Sequence, residues 1–152
     1  MEKEKRTLKF SEIFGFGAGG MFTYGFQLMI TGYYLLYYMT DIAGFSTVLA
    51  ASLYSTIQII KMVTMLFSGV IIDAINFRSG KYRTWVLVSG IGLGLFFPLS
   101  FFYYPLPQSV YVVVFMIIYT LQTLFYNVGW TAMRAVIGKV AKNKADVVAL
   151  NT

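Results

Sequence analysis

Four long apolar stretches, with nearly all the basic residues held to the segments around them, limit what this chain can become. The stretches run from about residue 13 to 39, 47 to 75, 84 to 104 and 110 to 137. A helix needs about 20 residues to cross the hydrocarbon core of a bilayer, and each stretch is long enough. A backbone in lipid must satisfy its own hydrogen bonds, so only helices and closed barrels span. Barrel strands alternate apolar and polar residues, and residues 110–118 show no alternation. The expected fold is an all-α membrane protein with four transmembrane helices in one unit, residues 1–152, closed by a tail at 138–152.

Composition agrees. The chain is 58% hydrophobic and only 12% charged, against roughly 25% charged for an average soluble domain. It has no histidine and no cysteine. That removes thiol and imidazole catalysis, disulfides and most zinc sites. With no paired carboxylates in the apolar stretches, acid–base chemistry lacks its groups, so the chain reads as a non-enzyme without cofactor or metal.

The net charge of +6 follows from topology rather than from nucleic-acid binding. Lys3, Lys5, Arg6 and Lys9 precede the first stretch; Arg78, Lys81 and Arg83 lie between the second and third; Arg134, Lys139, Lys142 and Lys144 close the chain. The connections at 41–46 and 105–109 carry no Lys or Arg. The positive-inside rule then puts both termini and the second connection in the cytoplasm of a multi-pass plasma (inner) membrane protein. The first stretch is too long for a signal-peptide core and lacks a cleavage pattern. Pro105 and Pro107 are expected to end the third helix.

One cation breaks the segregation. Lys61 is about fourteen residues from Thr47 and about twelve from Asp73, too deep to snorkel easily to either surface. An ionisable residue at such depth is a functional-site hypothesis by default. Tyr54, Gln58, Lys61, Thr64 or Met65, and Ser68 recur every three or four residues, which sets them on one helix face. Apart from Asp73 near the end of the second stretch, about twelve residues away, no acid lies within the four stretches, so a partner for Lys61 would come from elsewhere: another chain segment, another chain or a ligand.

Two glycine patterns need weighing. Gly15-Phe16-Gly17-Ala18-Gly19-Gly20 fits G-x-G-x-x-G, but a dinucleotide fingerprint follows a strand, and none precedes it. The four-residue spacings Gly15/Gly19 and Gly90/Gly94 suit close helix packing instead. In the second connection, Gly69 stands four before Asp73, followed by Arg78, Gly80, Lys81 and Arg83. A small residue there lets helices approach, and the acid can pair with a base or accept from a helix N-terminus. That is the chemistry of a gate that opens and shuts.

The run Gly69-x-x-x-Asp73, with Arg78-Ser79 and Trp85 after it, resembles the loop between helices two and three of the major facilitator superfamily. With Gly80-Lys81-Tyr82-Arg83 it is most similar to the glycoside–pentoside–hexuronide:cation symporters, the melibiose permease-like transporters. Gly15–Gly20 resembles that family's first-helix opening, Tyr37-Tyr38-Met39-Thr40-Asp41-Ile42-Ala43-Gly44 its helix-one exit, and Asn127-Val128-Gly129-Trp130 its helix-four segment, with Gly129 where proline is usual.

The resemblance implies the N-terminal part of a twelve-helix fold built from three-helix inverted repeats. It also implies secondary active transport of a sugar or glycoside by alternating access, in partnership with a C-terminal half. On that reading the chain alone is an incomplete fragment. The candidate substrate or coupling-site residues are Lys61, Gln58, Thr64 and Met65 on helix two, Phe22 on helix one, and Asn127 and Thr131 on helix four. Gly69, Asp73, Arg78, Gly80, Lys81 and Arg83 form the candidate gating loop.

Departures from the pattern bear on coupling. The two acidic positions of the family's helix two fall on Lys61 and Met65, an acidic position of helix one on Phe22, and the helix-four Asp on Asn127. Sodium wants oxygen ligands and an ammonium repels it, so the usual sodium site is not expected. Lys61 could supply a fixed charge in place of sodium, neutralise an anionic sugar, or gain and lose a proton during transport. The alternative function is a small four-helix membrane protein that oligomerises or regulates a partner in the bilayer.

Overall fold

The computed structural model describes residues 10–20, 24–75, 77 and 80–140. Every regular element among them is helical: α1 (Phe10–Gly20), α2 (Phe26–Met29), α3 (Leu35–Tyr37), α4 (Thr47–Ala74), α5 (Lys81–Ser100) and α6 (Gln108–Val140), with π-helical turns at Ile30–Tyr34 and Tyr38–Ile42. Three helices, α4, α5 and α6, are long and apolar enough to cross a membrane.

The expected first span falls on short pieces rather than one long helix, and its helical path runs on to Ile42, past the expected end at 39. Its inward residues explain the wide turns. Tyr24, Gln27, Thr31, Leu35 and Met39 are buried, at steps of mostly four residues. An α-helix turns every 3.6 residues, so the buried row would drift off its face; π turns take up the difference.

Two boundaries follow local chemistry. Ser46 caps α4, its Oγ accepting the Leu49 N–H at 3.3 Å, which satisfies one of the free donors of a helix start. The third span ends earlier than expected. Helix α5 stops at Ser100, and Pro98 rather than Pro105 or Pro107 precedes the stop. Proline removes one rung of the ladder, and the chain then tightens, with Phe101 N–H donating to the Pro98 carbonyl at 3.1 Å and Phe102 N–H to the Leu99 carbonyl at 3.3 Å. Pro107 starts the next helix instead: its carbonyl accepts the Tyr111 N–H at 2.9 Å.

Helix α6 is the spine. Both α5 and α4 pack along it, while α4 and α5 scarcely touch one another. Its buried face reads Tyr111, Phe115, Tyr119, Gln122, Thr123, Asn127, Val128 and Ala132, a helical repeat. One apolar cluster gathers Leu35, Tyr38, Phe45, Leu53, Ile57, Tyr111, Phe115 and Tyr119; the other gathers Ile72, Trp85, Val128 and Ala132. Along α6 the polar residues Gln122, Thr123 and Asn127 fall between the two. At the first cluster the Tyr38 Oη lies 2.7 Å from the Tyr111 Oη and donates to the Phe102 carbonyl at 2.8 Å, so Tyr111 donates within the pair.

Close approach occurs at glycines other than those expected. A Cβ on Gly129 would meet the Tyr24 hydroxyl and, at 2.6 Å, the Ser89 Cβ; one on Gly92 would strike the Phe125 ring; one on Gly20 would meet Met133 Cε at 2.5 Å. At Gly15, Gly19, Gly90 and Gly94 a Cβ would meet nothing within 4 Å. The four-residue spacings therefore mark no tight contact among the described residues.

Gly129→Ala and Gly92→Ala should each destabilise the protein by about 1–3 kcal/mol through overpacking, while Gly94→Ala should leave it unchanged. Thermal unfolding in one detergent measures all three. An equal loss at Gly94 would contradict this packing.

Candidate functional site

Helices α4 and α6 meet along a polar seam. On α4 the residues Ile57, Lys61, Thr64, Ser68 and Ile72 follow at spacings of three and four, which turns them toward one side. Ile57, Ser68 and Ile72 are buried there, and Lys61 and Thr64 are half-buried. On α6, Asn127 and Thr131 stand one turn apart.

The Asn127 amide Nδ2 donates to two acceptors on α4, the Lys61 main-chain carbonyl at 3.0 Å and the Thr64 Oγ1 at 2.7 Å. Thr64 sends its own proton back into its helix, toward the Ile60 carbonyl at 2.8 Å or the Lys61 carbonyl at 3.1 Å. One turn on, Ser68 Oγ donates to the Met65 carbonyl at 2.7 Å and lies 2.8 Å from Thr131 Oγ1. With the Ser68 proton committed, Thr131 is the donor of that pair. Each hydroxyl thus has a partner, as hydrocarbon surroundings demand.

Four of the residues nominated from sequence, Lys61, Thr64, Asn127 and Thr131, belong to this seam. The rest do not join it. Gln58 and Met65 lie on the exposed side of α4, so the supposed single stripe divides into a bonded half and an open half. Steps of three and four drift around the helix, and the two sets part over two turns. Phe22 lies outside the described residues, as does Arg78. The Lys61 ammonium makes no ion pair or hydrogen bond among the described residues. It stands on the seam with its backbone held and its charge unmatched.

The second connection forms a separate site. Lys81 Nζ meets Asp73 Oδ1 at 2.6 Å across the turn from α4 to α5. The lysine side chain is 23% exposed and the aspartate 74%, so the pair is open to water and weak in isolation. Gly80 precedes α5 with φ of +100°, a conformation that favours glycine. Phe77 packs edge-on against Trp85 at 5.4 Å. A Cβ on Gly69 would meet nothing within 4 Å, so the close packing expected there is absent among the described residues. Arg83 is exposed at the rim of a cavity of about 520 Å³, lined by Gly15, Gly19, Gly90 and Met133 among others.

Sequence reasoning missed two features. The Arg134 guanidinium sits 4.6 Å from the Trp130 ring, and the spacing of four residues on a helix was the available signal. Ser100 Oγ donates to Gln122 Oε1 at 2.5 Å, which ties α5 to α6; nothing in the sequence paired them. The G-x-G-x-x-G run is helical throughout, with no loop to cradle phosphate. Among the described residues no group of three His, Cys, Asp or Glu could hold a metal.

Comparison with known proteins adds the functional frame. Residues 15–152 match the family model described as MFS/sugar transport protein. The chain is similar to the putative glycoside/cation symporter YagG of Escherichia coli (strain K12), 29% identical over 126 residues, covering 81% of this chain and 27% of the relative. It is also similar to the inner membrane symporter YicJ of the same organism, 26% identical over 107 residues, covering 68% and 23%. The glucuronide carrier protein homolog of that organism is 28% identical over 94 residues, covering 62% and 20%. The chain spans about a quarter of the length of the relatives it matches. No solved structure gives a significant match. The named relatives are symporters and a carrier, and the chain is likewise not an enzyme.

The Asn127–Thr64 bond can be isolated. Asn127→Ala, Thr64→Val and their combination should show a coupling of about 0.6–1.7 kcal/mol, the scale of interhelical hydrogen bonds in membranes. Detergent unfolding of the four proteins reads it, and additive losses would remove the bond from the account.

Proposed function

Since the chain belongs to the MFS/sugar transport protein family, we propose that it is the N-terminal part of a secondary transporter that moves a sugar or glycoside by alternating access. Residues 1–152 act as one unit, the first apolar stretch supplies a fourth span, and further helices complete the path. The observation that carries this reading is Lys61: a half-buried ammonium with no ion pair or hydrogen bond among the described residues, midway along a helix whose seam is fixed by Asn127 and Thr64. A structural lysine would be expected to have a partner, because an unpaired charge in hydrocarbon is costly. A lysine that meets a solute needs to be free between turnovers.

Lys61 has two roles on this reading. It supplies a fixed positive charge where a coupling cation would otherwise sit, so transport runs without sodium at this place. It also favours an anionic sugar, an option supported by similarity to a relative named as a glucuronide carrier protein homolog. Gln58 and Met65, on the open side of α4, Phe22 on the first stretch, and Thr131 beside Ser68 complete the candidate substrate or coupling site. Asp73 and Lys81 act as the latch of the gating loop, with Gly69, Arg78, Gly80 and Arg83 around it. A water-exposed ion pair suits a latch, since it can break at little cost. Both termini and this loop face the cytoplasm.

Two measurements test the reading. Uptake of labelled glycosides by cells producing this chain joined to the helices that complete the path should be insensitive to sodium, and Lys61→Met should lower uptake at least about tenfold, as loss of a charge contact would. Unchanged uptake with an unchanged sodium response would remove Lys61 from the mechanism. For orientation, the cysteine-free chain accepts single reporters. Ser46→Cys and Ser109→Cys should react with an impermeant maleimide applied from outside, and Ser79→Cys only after the membrane is opened. The reverse pattern would invert the topology.

A further inference from the structure

Arg134 does more than a tail cation has to do. The charge pattern along the chain accounts for it as one of the basic residues that hold the C-terminal end in the cytoplasm, and such a residue needs only water. Instead its guanidinium lies 4.6 Å from the centre of the Trp130 ring, one helical turn back along α6. Trp130 is half-buried and packs on Tyr24 of the first apolar stretch, ring centres 5.6 Å apart. Tyr24 is itself buried and stands edge-on to Tyr126 at 5.7 Å. The cation therefore rests on a braced aromatic platform. An indole face holds a cation without cancelling its charge.

Its place on α6 is equally defined. Trp130 meets the first stretch, whereas Thr131 meets Ser68 of α4 at 2.8 Å. At 3.6 residues per turn, position 134 falls between 130 and 131 around the helix. Arg134 thus stands in the strip of α6 flanked by the first stretch on one side and α4 on the other. Asn127 occupies the same strip two turns earlier, and its amide holds the Lys61 carbonyl at 3.0 Å. Neither cation has an ion pair among the described residues, and Asp73, at the end of α4, is taken by Lys81 at 2.6 Å. Like charges along one cleft, without a counter-ion, concentrate an anion there. Arg134 is exposed, so a solute can reach it. A guanidinium stacked by its face keeps its in-plane N–H groups free, and these match both oxygens of a carboxylate.

We propose that Arg134, seated on Trp130, is a second anion-binding residue on the solute path, holding the carboxylate of an anionic sugar at a station on the cytoplasmic side of Lys61. Asn127 and Arg134 are seven residues apart, about 10 Å of helix at 1.5 Å per residue. The two cations are therefore successive stations, and the solute passes from one to the other as the path opens inward. This rests on the reading of the chain as part of a carrier for an anionic sugar. It adds a second charge-selective residue and an order of contacts.

Transport of methyl β-D-glucopyranosiduronate by this chain joined to the helices that complete the path, in vesicles of either orientation, tests the station. Arg134→Gln should raise the KM at the cytoplasmic face roughly tenfold and at the outer face less than about twofold. Arg134→Lys keeps the charge but not the planar fork; it should raise the cytoplasmic KM about threefold, and it serves where Arg134→Gln fails to insert. The shifts should be the same in phosphatidylcholine alone and with phosphatidylglycerol added. A shift seen only with phosphatidylglycerol would assign Arg134 to a lipid headgroup. An equal rise at both faces would make it a structural residue, paired elsewhere in the full protein. Either outcome overturns the proposal. If no uronide is taken up and Lys61→Met changes nothing, the carrier reading falls too. If uptake persists, Lys61→Met lowers it and both Arg134 variants leave KM unmoved, this inference alone fails.

Discussion

An unpaired polar group in hydrocarbon costs several kcal/mol, and this structure is organised around avoiding that cost. The constraint makes the spans helical, because only a helix closes its own backbone bonds. It then acts on side chains. Thr64 and Ser68 return their protons to their own helix, and Asn127 and Thr131 supply the donors that remain needed. Where the rule is obeyed the structure is rigid. Among the described residues it is unmet at the Lys61 ammonium and at the buried Tyr24 and Ser89 hydroxyls, the Trp85 indole N–H and the Gln122 amide nitrogen.

Helix α6 shows how packing and polarity share one face. Its buried row passes from aromatic residues, through Gln122, Thr123 and Asn127, to small apolar ones. The aromatic part fills space beside the first stretch. The small part lets Tyr24 and Ser89 come against Gly129. Between them the amides reach across to α4 and α5, Asn127 to the former and Gln122 to the latter. Three helices are thereby held by one.

Much of this was legible in the residues, for reasons that can be named. Three of the four expected spans follow from length and hydropathy, while the first stretch falls on short helical pieces. Lys61 and Thr64 share a helical period, and Asn127 stood out through resemblance. What escaped were effects of geometry. Pro98 ended α5 ahead of the more conspicuous Pro105 and Pro107, because a helix is weakened where a rung is lost rather than where prolines gather. Gln58 and Met65 left the stripe because three- and four-residue steps diverge around a helix. Gly15, Gly19, Gly90 and Gly94 have the spacing of close packing, yet Gly20, Gly92 and Gly129 make the contacts; spacing does not say which face a neighbour occupies. Pairing of Ser100 with Gln122 has no signature in one dimension.

Asn127 grips the peptide carbonyl of residue 61, not its side chain. A carbonyl is common to every amino acid, so the architecture does not depend on what residue 61 carries. Thr64, held through its hydroxyl, has no such freedom. Position 61 is therefore a place where the sign of a buried charge can be rewritten by evolution without rebuilding the helix pair. The bond between the two helices would persist while the side chain changed.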